Sequence, residues 1–383
     1  MMRKLLSSFA VIVLVAVATP GRATAPEPIW HHWMSFVVIE VAFAPNGDAV
    51  VVGYEPVGGP PPEILVVARV SPEGKTLWRT TWRSPDAWGA VGTRVAVTRA
   101  GDIVVLGNLV EPMLGEVAHA HMWSFSRSGE LRWHREVQGP PRAFDVADLA
   151  VGASRIVVAA QTYKAMSPFP TTDGWIQAYT LRGSLVWTNH FEVGGVHGRD
   201  GIGGVAVGPD GRVYATGWVL RSSGGRLIRD MVIQGIGPNG VRAWSWVRPK
   251  DRWQDQGHDV AVRGDRVYVV GEVHALSRRD PVGVAWLARF TPGGRPQWHR
   301  TWGPSGTYSA AYHVAVHPGG AVYTTGCEAC GAASANDLRR WSADGVQAWR
   351  YAFDGGRYPA SVPAVDRRGV YVLVRLALWR FPA

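Results

Sequence analysis

A glycine followed four residues later by tryptophan recurs along this chain and limits it to a repeat architecture. It occurs as Gly74/Trp78, Gly129/Trp133, Gly183/Trp187, Gly240/Trp244, Gly294/Trp298 and Gly345/Trp349. A β-branched run, usually closed by glycine, follows each of them, as in Ile103-Val-Val-Leu-Gly107, Val213-Tyr-Ala-Thr-Gly217, Val267-Tyr-Val-Val-Gly271 and Val322-Tyr-Thr-Thr-Gly326. The same run stands at Ala49-Val-Val-Val-Gly53, Ile156-Val-Val-Ala-Ala160 and Val370-Tyr-Val-Leu-Val374, which makes seven copies. A period of this length in a β-rich sequence is the signature of propeller blades.

Each copy reads as four short strands, a to d. Strand a alternates, as in Val205-Ala-Val207; strand b is the β-branched run; strand c resembles Trp286-Leu-Ala-Arg-Phe290; strand d carries the Trp. Strands a and b join through Pro45-Asn-Gly47, Pro209-Asp-Gly211 and Pro318-Gly-Gly320, and strands c and d through Ser71-Pro-Glu-Gly74, Gly237-Pro-Asn-Gly240 and Thr291-Pro-Gly-Gly294. Proline presets φ in such turns and glycine supplies the left-handed residue from which the returning strand can pair. The expected fold is all-β: a seven-bladed β-propeller with four antiparallel strands per blade. The last copy ends after its strand c, whereas Ile29-Trp-His-His-Trp33 stands alone before the first strand a. The ring is therefore expected to close by an N-terminal strand at 29–34 pairing with a C-terminal strand at 376–381. The periodic Trp residues are read as packing between blades, because their place in the repeat is fixed. Trp88, Trp175, Trp218 and Trp253 fall outside that pattern and are expected in or near connections.

Residues 1–25 read as a secretory signal peptide: Arg3 and Lys4, an apolar stretch over residues 5–18, then Ala23-Thr24-Ala25 as a cleavage site. Residues 26–383 are expected to form one propeller domain, monomeric, periplasmic or extracellular, with no transmembrane segment once the signal is removed. The net charge of +10 falls to about +7 without Arg3, Lys4 and Arg22. Nearly all the basic residues are Arg, a bias that codon usage explains, so no nucleic acid is expected as a partner. A positive surface favours anionic polysaccharide or an envelope protein instead.

Loops of unequal length on a rigid scaffold are where binding concentrates. The b–c loops and the d–a connections between blades share one face. They supply the candidate ligand-binding set: Arg142, Arg199, Arg221, Arg226, Arg252, His258, His274, Arg278, Arg279, Tyr308 and Arg357. Asp86, Asp145, Asp200 and Asp255 are placed to ring the channel mouth. No Gly-x-Ser-x-Gly, His-Glu-x-x-His or phosphate-loop signature occurs, so no catalytic residue is assigned. The two Cys, Cys327 and Cys330, are too few for a structural zinc and are expected to form a local disulfide; no metal or cofactor is expected. Arg263-Gly264-Asp265 is an adhesion tripeptide by composition, but it occupies an a–b turn, and turn chemistry accounts for it.

The motif around His258-Asp-Val-Ala-Val262 with Val267-Tyr-Val-Val-Gly271, repeated at His313-Val-Ala-Val316 with Val322-Tyr-Thr-Thr-Gly326, resembles the bacterial β-propeller repeat family of SBBP type. That resemblance implies an exported propeller and no particular activity. The Gly-x-x-x-Trp element is also similar to the repeat of pyrroloquinoline-quinone propellers, which have eight blades and acids around a calcium; this chain has seven units and no such cluster. The leading expectation is a non-enzymatic binding or scaffold module of the cell envelope. The alternative is a propeller enzyme, either a polysaccharide hydrolase or lyase or a quinone-dependent dehydrogenase.

Overall fold

The computed structural model describes residues 25–56, 63–85, 89–110, 120–139, 144–164, 171–192, 200–223, 226–248, 254–274, 283–304, 306–330, 335–353, 363–374 and 377–383. Among these residues there are seven four-stranded antiparallel sheets and no helix long and apolar enough to cross a membrane. The fold is a seven-bladed β-propeller. The innermost strands of blades 1 to 7 are Val37–Phe43, Gly89–Val97, Phe144–Val151, Asp200–Val207, Gln256–Arg263, Ala310–Val316 and Ala364–Asp366.

Blade 7 is the clasp. Its outermost strand, Trp30–Trp33, comes from the N-terminus and pairs with Ala377–Pro382, His32 opposite Leu378 and Trp33 opposite Ala377. The strand boundaries differ from expectation by a residue or so, and strand a of this blade is only three residues long.

The cores lie between blades. Leu65 and Val67 of blade 1 pack with Val105 and Trp123 of blade 2, and comparable clusters occupy each junction around the circle. The repeated tyrosines of strand b, Tyr214, Tyr268, Tyr323 and Tyr371, are fully buried in these junctions. Burying one large apolar side chain stabilises by about 1.5–3 kcal/mol, so each junction contributes substantially and each requires its neighbour.

The Gly-x-x-x-Trp motif joins consecutive blades. The ring of Trp78 lies against Gly129 in the c–d turn of the next blade, Trp187 against Gly240, Trp244 against Gly294 and Trp298 against Gly345. Where the turn presents a carbonyl, the indole N–H donates to it: Trp187 to Pro238 at 3.0 Å and Trp244 to Pro292 at 2.9 Å. Each of these glycines has φ between 78° and 89°, outside the reach of an ordinary side chain. Trp30 in the clasp does the same to Gly74 and donates to Pro72 at 2.9 Å, which carries the motif across the chain ends.

The glycine closing strand b answers a different demand. In blades 1 to 6 the innermost strand carries a β-bulge, and in five of them the residue opposite its first member is a glycine: Gly53, Gly107, Gly217, Gly271 or Gly326. A Cβ at any of these would overlap the carbonyl oxygen of the facing strand. Blade 3 carries Ala160 there, opposite Val146.

Two outcomes follow for stability. Ending the chain after residue 374 is expected to abolish the single cooperative transition seen by calorimetry, rather than to fray one blade; a truncated chain melting within about 2 °C of the full one would contradict the clasp. Gly271→Val is expected to lower unfolding free energy by about 1–3 kcal/mol in denaturant melts, as overpacking does.

Candidate functional site: the channel and its loop-side mouth

The bulges aim one residue per blade into the central channel. The residues just after them are Glu40, Arg94, Asp148, Gly204, Asp259 and His313. All but Gly204 line a cavity of about 320 Å³ on the axis. The pattern alternates around the ring. Blades 1, 3 and 5 carry an acid, and that acid accepts the backbone N–H just past the bulge of the next blade. Glu40 takes Val95 N–H at 2.5 Å, Asp148 takes Val205 at 2.7 Å and Asp259 takes Val314 at 2.8 Å. The second oxygens of Asp148 and Asp259 accept Leu149 N–H at 2.8 Å and Val260 N–H at 2.7 Å. A bulge disrupts the ladder locally, and a buried backbone donor must find an acceptor elsewhere. Here a neighbouring blade supplies it.

Arg94 is the cation of the ring. Its Nε donates to the Ala147 carbonyl at 2.9 Å and lies 3.8 Å from both Glu40 and Asp148. Blade 4 contributes Gly203 and Gly204, where a side chain would collide with His258 and Asp259 of blade 5. Burial dominates the protonation of the ring. It pushes Glu40 up to about 8 against the pull of Arg94, and raises Asp148 and Asp259 as well. It pushes His313 down to about 3, so that ring is neutral; Arg94 and His258 act in the same direction.

A second constellation sits where the channel meets blades 5 and 6. His258, the bulge residue of blade 5, lines the channel and holds Nε2 3.5 Å from Glu272. Glu272 accepts the Tyr308 hydroxyl, and the Tyr312 ring stands 5.1 Å from the His258 ring. Cys327 and Cys330 are joined in a disulfide beside it. Cys330 N–H donates to the Tyr308 carbonyl at 2.6 Å, and Ala329 N–H to Ser309 Oγ at 3.1 Å. The bridged turn thus fixes the segment bearing Tyr308.

Of the sequence-derived candidates, His258 and Tyr308 come together here. His274 lies at the end of strand b of blade 5, its N–H bound to buried Asp255 at 2.9 Å. Asp255 also accepts Arg248 at 3.1 Å, a structural use for that acid. Arg221 is engaged by Asp230, nearly fully buried, at 2.6 Å within blade 4. Arg226 begins strand c of that blade opposite Ser223. Arg142, Arg199, Arg252, Arg278, Arg279 and Arg357 lie outside the described residues, as do Asp86, Trp88 and Trp253. Trp175 and Trp218 belong to strands rather than connections: Trp175 packs on His190, and Trp218 lies under Arg229 at 4.5 Å. Asp200 is buried and raised to about 7 by desolvation, with Asp173 and Glu192 adding to it.

Glu272 and Tyr312 were not among the sequence candidates. A signal for Glu272 exists: the position after the strand-b glycine holds Tyr54, Asn108, Trp218, Glu272 and Cys327 in turn, a place in the repeat that varies where the run before it keeps its β-branched character. Among the described residues no group of three His, Cys, Asp or Glu is placed to hold a metal ion.

No family model matches the chain, and no curated protein matches it. Solved structures do. Prolyl oligopeptidase B from Galerina marginata superposes with a TM-score of 0.52 at 12% identity over 88% of this chain; the chain spans 46% of that protein's length. A protein of unknown function from Dyadobacter fermentans superposes with a TM-score of 0.50 at 13% identity, over 92% of this chain and 98% of the other. At such identities the likeness concerns the fold alone.

The raised Glu40 has a consequence for pH. A carboxyl whose pKa is higher folded than unfolded binds more protons in the native state, so its contribution is intact below about 4.5 and is lost as pH rises towards 8. Thermal stability is expected to fall over that interval. Glu40→Gln, which keeps an acceptor for Val95, is expected to flatten the fall in melting temperature between pH 5 and 8; an unchanged slope would place its origin elsewhere.

Proposed function

We propose that this chain is an exported, non-enzymatic binding module of the cell envelope that holds an anionic glycan or a protein partner on its loop side. One observation carries the reading: the channel acids are committed to the scaffold. Both oxygens of Asp148 and of Asp259 accept backbone N–H groups, so these carboxyls brace adjacent blades instead of facing a substrate as an acid–base pair. The signal-like N-terminus and the arginines of the loop-side connections support export and an anionic partner. Membership of the SBBP-type repeat family is part of the same proposal and rests on the Val-Tyr-x-x-Gly runs.

The second reading, an enzyme, has one observation in its favour: the convergence of His258, Glu272, Tyr308 and Tyr312 on the channel mouth. A histidine facing a buried carboxylate is a general-base arrangement when substrate lies against it.

An array of acidic glycans probed with the wild-type protein and with the R278Q/R279Q/Y308F variant separates these readings. Arg221 is left intact, because removing it would strand the buried Asp230 charge. Binding is expected to weaken about tenfold or more in the variant, as loss of charge-assisted contacts does. Equal binding by both proteins would remove the loop side from consideration. Cleavage of a glycan by wild type but not by His258→Gln would favour the enzyme instead.

A further inference from the structure

The opposite end of the channel carries a site of a different kind. The a–b turns of blades 2 to 5 surround a cavity of about 490 Å³ that begins where the innermost strands end, at Val97, Val151, Val207 and Val262. This volume is within the range of small-molecule pockets. Three arginines from three blades line it: Arg99, Arg155 and Arg263. Arg99 and Arg263 are exposed, and no carboxylate pairs with either among the described residues. Arg155 is half-buried, with one guanidinium nitrogen 3.1 Å from the Ser154 carbonyl and a buried Nε that no hydrogen-bond acceptor meets. The one acid in the lining, Asp210, is occupied by Arg212, whose N–H lies 3.1 Å away and whose guanidinium lies 3.7 Å away. The neighbouring turn acid, Asp265, likewise faces its own Arg266 at 3.7 Å.

We propose that this turn-side mouth binds a small multivalent oxyanion, presented as phosphate or as sugar carboxylate, with Arg99, Arg155 and Arg263 as its ligands. Three arginines lining one recess can supply the forked donors that oxyanions accept in pairs. The low-dielectric walls of the channel end focus their field on the recess. Arg155 is the most enclosed of the three, half-buried and held to the Ser154 carbonyl at 3.1 Å. Arg263 opens the Arg-Gly-Asp turn, whose geometry makes no use of its side chain. The site lies on the face opposite the loop side and does not rest on the binding role proposed there.

Isothermal titration of the purified protein with sodium tripolyphosphate and, separately, with trigalacturonate tests it. Saturable binding of either probe is expected, weakening with added salt as exposed charge contacts do. The probe that binds more tightly identifies the source of the anion. The R99Q/R263Q variant changes only exposed side chains, and it is expected to bind about tenfold more weakly or worse. Arg155→Lys, which keeps the charge and removes the guanidinium fork, is expected to weaken binding as well. Binding of neither probe by wild type, or equal binding by wild type and R99Q/R263Q, would overturn the proposal.

Discussion

A four-stranded sheet with two apolar faces is unstable alone, and this constraint governs the molecule. Each blade leaves one face for the blade before it and one for the blade after it. The buried clusters accordingly sit at junctions, with side chains from two consecutive blades in each. A row of such units would expose an apolar face at both ends. Closing the circle removes both, and the strand Trp30–Trp33 performs that closure by completing a sheet begun by the C-terminus. Trp30 then packs on Gly74 of blade 1 as the other motif tryptophans pack on the glycine of the next turn. The junction between the chain ends is therefore built from the same contacts as the internal ones.

The same closure places polar groups on the axis, where they must be satisfied. The bulges in the innermost strands tighten the curvature and leave donors for which the sheet has no acceptor. Acids on blades 1, 3 and 5 meet those donors on blades 2, 4 and 6. Buried carboxyls are costly when charged, and the burial of Glu40, Asp148 and Asp259 raises all three above the ordinary range. The channel is thus braced by hydrogen bonds whose strength depends on protonation. Its two mouths differ in chemistry. One holds a histidine, a glutamate and two tyrosines secured by a disulfide-bridged turn; the other holds three arginines.

Much of the architecture was legible in the residues. The Gly-x-x-x-Trp spacing, the Val-Tyr-x-x-Gly runs and the proline–glycine turns each express a short-range requirement that every blade repeats, so the blade count and the clasp could be read without coordinates. The site was less legible. His258 and Tyr308 stood out as polar residues beside connections, but Glu272 sits inside a β-branched strand and Tyr312 inside an alternating one. Trp175 and Trp218 fall in strands because Trp175 pairs with Ala160 as Trp286 pairs with Gly271, and Trp218 follows the strand-b glycine as Glu272 does, positions that strands c and b include in blade 5 too.

The sequence by itself determined the number of blades, the strand order within them and the way the ends meet, because those depend on turn chemistry and periodic side chains that act over a few residues. Only the tertiary structure decided which polar residues share a mouth and which acids are consumed as braces. Asp148 and Asp259 look alike as free acids in the chain; one backbone donor of each arrives from the next blade, more than fifty positions along, and no local pattern records that encounter.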